Sequence, residues 1–292
     1  MSIGLLSAIV TCVFLMAIMA IHIGFRAPRL ANEEPSKGVV FDVVEFEGKQ
    51  KTLLHGWWLP AGDNFETTVV LLHGWGANKS LLLTLAKAFH NIHCHVLMID
   101  AHNHGDSQSR GVATMPKFSE DLDSAIAWCR SNRPEHSQKV LAVGHSVGAA
   151  ATLLSASKTS HADAYIAISS FAHPKLMMKR HLGKLSKIPL LTWLLSAYVQ
   201  KVIGHRFDEI APVNTIQQIS KPVLCLHGNR DSVIPIEDFH LICKSSKNSN
   251  VQCAEIADAD HDSIDLIEQN FSLIESFLAD LDNFKSRGIN TV

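Results

Sequence analysis

The chain opens on an unbroken apolar run, in which no Asp, Glu, Lys or Arg interrupts the 23 residues from Ile3 to Phe25. As a helix rising about 1.5 Å per residue, such a run is long enough for the roughly 30 Å hydrocarbon core of a bilayer. The next stretch, "APRLANEEPSKG" (Ala27 to Gly38), is polar and carries two prolines, as a juxtamembrane linker would. From Val39 onward the pattern changes to short runs rich in Val, Ile and Leu that alternate with longer segments of helical period. The short runs predict eight strands: Val39–Phe46, Leu53–Leu59, Thr68–His73, His95–Asp100, Lys139–Gly144, Ala164–Ser169, Pro222–Gly228 and Val251–Ile256. Helices are predicted over Leu81–Asn91, Lys117–Ser131, Ser146–Ser157, Glu237–Ser245 and Ser263–Asp282.

The first two strands are close enough to form an antiparallel hairpin, but from the third on a helix-length segment separates each strand from the next. Parallel neighbours need such crossovers, so the pattern predicts an α/β domain: an eight-stranded, mostly parallel sheet with helices on both faces. The division that follows is a transmembrane anchor over 1–26, a linker over 27–38 and a catalytic-size domain over 39–292. One long insertion breaks the alternation, at about 171–212, and reads as a helical cap in at least two pieces broken near Gly183 and Pro189.

Composition narrows the classes of function. With 292 residues, 47% of them hydrophobic, the chain can bury one large core. Charges nearly cancel, 26 Lys plus Arg against 28 Asp plus Glu, so no basic field points to nucleic acid. The six cysteines (Cys12, Cys94, Cys129, Cys225, Cys243 and Cys253) show no CxxC spacing and read as reduced thiols. The apolar run lacks a preceding basic residue and a following A-x-A site, which favours an uncleaved anchor over a signal peptide. Arg26 and Arg29 flank it on the C-terminal side, and the positive-inside rule then puts the domain in the cytoplasm, in agreement with reduced cysteines.

Candidate chemistry lies past the ends of the strands, where sites gather in parallel sheets. "VGHSVG" places Gly144, His145, Ser146, Val147 and Gly148 between an apolar strand and an Ala-rich helix. A sharp strand-to-helix turn there lifts a serine hydroxyl above the sheet; elsewhere the same five residues would be a plain glycine turn. Serine alone is a weak nucleophile and needs a base held by an acid. "LHGNRDSVIP" supplies Asp231 beyond the seventh strand, and "ADADHDS" supplies His261 beyond the eighth. In a chain of 17 histidines a loop histidine is ordinarily just solvated, but the order Ser146, Asp231, His261 singles this one out. Developing negative charge needs preorganised donors, and "LLHGWGANKS" after the third strand can aim the Trp75 backbone N–H at the site, with the Val147 N–H as its partner.

With these motifs the chain resembles the α/β-hydrolase superfamily, in its serine esterase, lipase and serine-aminopeptidase-like branch. The resemblance covers approximately Val39 to Leu281 and rests on "HGWG", "GHSVG", "HGNRDSVIP" and "DADHDS" in the family's order. It implies Ser146 as nucleophile, His261 as base, Asp231 as the orienting acid, and no cofactor. "DAHNHGDS" (Asp100 to Ser107) is similar to a family turn except that His102 stands where arginine is usual, which puts local ion pairing in doubt. His102 and His104 lack the companion ligands of a closed metal site. "FSEDLDSAIAW" reads as a helix with an acidic start, and Trp57 and Trp58 as packing residues.

The cap carries Lys175, Lys179, Arg180, Lys184, Lys187, Lys201 and Arg206 with no acid before Asp208, beside the apolar "IPLLTWLLSAYV" (Ile188 to Val199). Such a segment suits contact with anionic lipid; the simpler reading is a helix that buries its apolar face over the pocket. The expected function is a membrane-anchored serine hydrolase of carboxylic esters with a small-molecule acyl or lipid-like substrate. A peptidase or thioesterase on the same residues, or a non-catalytic scaffold that binds a partner, are the alternatives.

Overall fold

Strands His95–Ile99 and Ala164–Ile168 are buried at every position, and Thr67–Leu72 at five of six. Only a strand covered on both faces tolerates so continuous an apolar run. In the computed structural model, which describes residues 3–33, 39–158 and 161–287, these segments form the middle of one eight-stranded sheet. The strands are β1 (Asp42–Glu47), β2 (Leu53–Leu59), β3 (Thr67–Leu72), β4 (His95–Ile99), β5 (Lys139–His145), β6 (Ala164–Ile168), β7 (Val223–Gly228) and β8 (Val251–Ile256). Their spatial order is β1-β2-β4-β3-β5-β6-β7-β8. The β1–β2 and β2–β4 pairs are antiparallel and all the others parallel, as the crossover pattern requires.

The helices are α1 (Ile3–Gly24), α2 (Leu83–Asn91), α3 (Met115–Asn132), α4 (Val147–Lys158), α5 (Pro174–Leu182), α6 (Pro189–Ile203), α7 (Phe207–Ile210), α8 (Pro212–Thr215), α9 (Ile236–Ser245), α10 (Ile264–Gln269) and α11 (Ser272–Arg287). Two apolar layers result. Phe118 and Leu122 of α3, the Ala149–Ala151 run of α4, and Phe239 and Ile242 of α9 pack on one face of the sheet. Leu85 and Phe89 of α2 pack on the other with Phe271 and with Ile274 and Phe277 of α11. Burying each such Leu, Ile or Phe is worth about 1.5–3 kcal/mol, so both layers matter to stability.

Three expectations need correction. The last predicted helix, Ser263–Asp282, is two helices that meet at Asn270 and Phe271. The acidic residues of α3 do not start it: the helix begins at Met115, and Glu120 and Asp121 lie in its second turn. Over residues 28–33 the predicted linker is also bonded to the domain. Arg29 donates to the carbonyls of Gly105 and Ser107, and Asn32 to Asp100 and Asp106, while Asn78 donates to the carbonyls of Leu30 and Ala31. Residues 34–38 of that segment lie outside the described residues, as do 1–2 and 288–292. The cysteines are not all thiols, because Cys243 of α9 is disulfide-bonded to Cys253 of β8. This removes the cysteine argument for a cytoplasmic domain, since disulfides persist in oxidising compartments.

The insertion is helical as expected, with α5 and α6 joined by a 3-10 turn over Gly183–Lys187. Arg180 of α5 pairs through both guanidinium nitrogens with the buried carboxylate of Asp238 on α9, which also accepts the Ala172 N–H. This ties the cap to the domain. In α6 only Thr192 and Leu195 are buried. Val199 and Ile203 turn toward a cavity beneath the cap, whereas Leu190 and Trp193 are 67% and 65% exposed. The apolar face over the pocket and the open apolar face both exist, on opposite sides of one helix.

Candidate active site

Ser146 sits between β5 and α4 with φ of 57°, in the left-handed region that non-glycine residues rarely occupy. Such strain persists only where the surroundings fix it. Here the Ser146 N–H donates to the Ile168 carbonyl of the neighbouring strand (2.9 Å), and its own carbonyl accepts the first helical bond, from Ala150 (3.1 Å). The flanking glycines are required by close packing. A Cβ on Gly144 would lie 2.2 Å from the Gly148 carbonyl oxygen, and one on Gly148 would lie 2.5 Å from the carbonyl oxygens of Leu72 and His73.

The three polar side chains singled out in the sequence come together over the C-terminal edge of the sheet. Ser146 Oγ is 2.9 Å from His261 Nε2, and His261 Nδ1 is 2.7 Å from Asp231 Oδ2. The other carboxylate oxygen of Asp231 accepts the N–H groups of Val233 (2.9 Å) and Ile234 (2.7 Å). Burial works to raise the Asp231 pKa, but the hydrogen bonds from His261 and Ile234 outweigh it and hold the carboxyl below its ordinary range. An ionised Asp231 takes the Nδ1–H of His261, which leaves Nε2 to accept the Ser146 O–H.

Four further residues brace this arrangement. His145, next to the serine, donates from Nε2 to the His261 carbonyl (2.8 Å). Asp260 accepts the His261 N–H (2.7 Å) together with the N–H and hydroxyl of Ser232, and so ties the loop after β8 to the loop after β7. His73 accepts the Ala101 N–H at Nε2 and donates from Nδ1 to the Gly74 carbonyl; His104 accepts the Gly76 N–H at Nε2. Burial lowers the pKa of His73 and of His145 to about 4, so both rings are neutral at ordinary pH and each offers one donor and one acceptor. None of these roles was read from the sequence.

The loop held by His73 and His104 carries Trp75, one of the two residues whose N–H the sequence singled out. Its backbone passes so close to Ser146 that a Cβ on Gly74 would lie 2.8 Å from Ser146 Cβ. Trp75 follows directly and lines the same cavity as Ser146. Val147 is the first residue of α4, and its N–H has no acceptor within its own helix. Trp75 and Val147 both line the space in front of Ser146.

Beside the serine the turn after β4 is held by charge. Lys79, 1% exposed, contacts Asp100 at 2.6 Å and Asp106 at 2.8 Å, and lies 4.6 Å from the centre of the Trp57 ring. His102, where the family has arginine, hydrogen-bonds through Nδ1 to Asp121 of α3 (2.6 Å), which also accepts the His102 N–H. The ring nitrogens of His104 are taken up by protein hydrogen bonds. His145, His261 and Asp262 also bring ligand atoms within 4.8 Å of one another. Both nitrogens of His261 are already engaged, with Ser146 and Asp231.

In front of the serine lies a cavity of about 520 Å³ walled largely by apolar side chains, among them Trp75, Met115, Phe171, Met177 and Phe207. Ile21 and Phe25, at the end of α1, also line it.

The comparisons with known proteins agree with this fold. Residues 63–212, just over half of the chain, match the family described as "Serine aminopeptidase, S33". Among solved structures, the esterase Pf2001 of Pyrococcus furiosus superposes with a TM-score of 0.72 at 22% identity, over 88% of this chain and 97% of that one. Est1E of Butyrivibrio proteoclasticus, solved with ferulic acid bound, does so with a TM-score of 0.62 at 16% identity, over 81% and 99%. In sequence the chain is 28% identical over 252 residues to the uncharacterized protein YqkD of Bacillus subtilis, covering 79% of this chain and 81% of YqkD. It is 25% identical over 277 residues to the uncharacterized YfhR of Salmonella typhimurium, covering 89% and 87%. The chain belongs to the serine aminopeptidase S33 family, and is a serine hydrolase with the α/β-hydrolase fold.

Proposed function

We propose that this protein is a membrane-anchored hydrolase of carboxylic esters with an acyl or lipid-like chain, and that Ser146, His261 and Asp231 are its catalytic triad. The observation that carries the reading is the Ser146–His261–Asp231 chain of contacts opening on a largely apolar cavity. Ser146 Oγ attacks the ester carbonyl carbon while its proton passes to His261 Nε2. The oxyanion that forms is held by the N–H groups of Trp75 and Val147. Collapse breaks the bond to the alkoxy oxygen, which leaves as the alcohol with the proton from His261, and the acyl group stays on Ser146. Water deprotonated by His261 then releases the acid and restores the serine. Asp231 keeps the imidazole in the right tautomer and stabilises its cationic form.

The family's description favours one second reading, a peptidase. An aminopeptidase must hold a substrate ammonium, and the only carboxylate among the described lining residues is Asp262, which is exposed. The apolar lining supports an acyl chain better.

For the anchor, α1 offers an 18-residue window, Ser7–Gly24, of mean hydropathy 2.2 with none of it buried in the protein. A cleaved signal sequence passes the same test of length and composition. The contacts of His22 with Tyr198 and of Ile21 and Phe25 with the cavity favour a helix that is kept. On this reading residues 1–26 anchor, 27–38 connect, and 39–292 catalyse, with the cap over about 171–212.

Hydrolysis of chromogenic acyl esters of graded chain length, and of aminoacyl anilides, by the full chain in detergent tests the assignment. Ser146→Ala is expected to lower ester turnover by at least about 10⁴-fold while leaving the fold intact. Equal rates in the two proteins would overturn the triad, and turnover of anilides in preference to esters would overturn the ester assignment.

A further inference from the structure

The helix that would hold this protein in a bilayer also reaches its catalytic cavity. Ile21, Gly24 and Phe25 line the same space as Ser146, and His22 meets Tyr198 of α6 through a hydrogen bond and an edge-on ring contact at 5.7 Å. An anchor that served only for attachment would have no physical need for such contacts. The apolar window of α1 ends at Gly24, so the cavity opens at the level where the span leaves the hydrocarbon. That is also the depth at which a lipid ester carries its carbonyl, between acyl chain and headgroup.

The outer surface of the cap agrees with this depth. Leu185, Ile188, Leu190 and Trp193 are all about half exposed or more, and Lys184 and Lys187 lie among them, also exposed. An exposed Trp with apolar neighbours and lysines suits the boundary of an anionic leaflet. Helix α6, which carries Leu190 and Trp193 of this patch, also packs on α1 through Tyr198.

We propose that the last turn of α1 is a wall of the acyl-binding pocket, and that the substrate is the acyl ester of a membrane-resident lipid whose chain runs between α1 and the cap. This deepens the ester-hydrolase reading and rests on it. Gly24 is the position at which the wall can be altered, because a Cβ built there meets nothing within 4 Å. A larger side chain at that point takes up space the substrate chain would fill.

The full chain, reconstituted in vesicles of phosphatidylcholine with phosphatidylglycerol, is treated with a long-chain alkyl fluorophosphonate whose chain ends in a diazirine. Ser146 Oγ bonds to phosphorus and fluoride leaves; light then fixes the chain end to whatever wall it touches. Adducts on residues 21–25 are expected. Adducts confined to the cap and the sheet domain would overturn the proposal, and an unlabelled Ser146 would overturn the hydrolase reading beneath it. In parallel, Gly24→Leu is expected to lower the ratio of dodecanoyl to butanoyl ester hydrolysis by about tenfold or more, since each methylene denied an apolar wall costs about fourfold. An unchanged ratio in an active variant would also count against the wall.

Discussion

His145 stands beside Ser146, yet its bond is to the backbone of His261 rather than to the serine hydroxyl or the His261 ring. It is one of several buried imidazoles that work as neutral brackets between loops, and this sets a pH dependence of stability. Burial lowers His73 and His145 to about 4, against about 6.5 in an unfolded chain. Between those values the unfolded chain takes up protons that the folded one refuses. Stability is therefore full above about pH 6.5 and falls as pH drops toward 4, by up to about 1.4 kcal/mol per pH unit for each ring. His104 and His227, lowered by burial too, act in the same direction. The urea midpoint at constant ionic strength is expected to fall between pH 7 and pH 5; a flat profile would show that the rings are not held neutral. Lys79 is the other residue whose loss should be costly. Lys79→Met leaves the buried carboxylate of Asp100 without its cation and is expected to destabilise by about 3–5 kcal/mol, read as a lower melting temperature. Adding Asp100→Asn should recover part of the loss by removing the stranded charge. Ser146, Asp231 and His261 could be picked out from the sequence because each follows the end of a strand, and strand ends show in the apolar pattern. Lys79, His145 and Asp260 could not, since their partners come from other loops and nothing in residue type marks a histidine as a bracket.

Among the elements, the strands were the most legible: all eight lie where the apolar runs put them, with ends shifted by at most one residue except at β1, whose predicted start at Val39 is three residues early. Helix α6 was the least legible. Its residues are apolar nearly all round, so no period could say which side faces the cavity and which faces outward. The covalent tie between α9 and β8 was missed for a similar reason. Cys243 and Cys253 are ten residues apart with no motif spacing, and only strand pairing brings the second under the helix that carries the first. A loop of that length gives an expected loss of about 2.5 kcal/mol when the bond is removed. Cys243→Ser should thus lower the urea midpoint as much as dithiothreitol does to the native protein. Alkylation without reductant should leave two of the six cysteines blocked, and reaction of all six would instead return the domain to a reducing compartment.

At the scale of the whole molecule, one edge of the sheet gathers everything of chemical interest. The loops after β3, β4, β5, β7 and β8 meet there, the cap is tied over it by Arg180 and Asp238, and α1 arrives at the same edge. The fold class followed from alternation alone, but the meeting of α1 and the cavity did not, because an apolar run says how far a helix reaches and nothing about what it touches. The strap of residues 28–33, fastened by Arg29, Asn32 and Asn78, has a consequence for how such an enzyme meets its substrate. With α1 in a bilayer, so short and so firmly held a connection would stop the domain from swinging about its anchor. The active-site mouth would keep one heading toward the lipid surface. Encounter would then be a search in two dimensions, and its rate would follow the mole fraction of substrate in the leaflet rather than its concentration in the surrounding water.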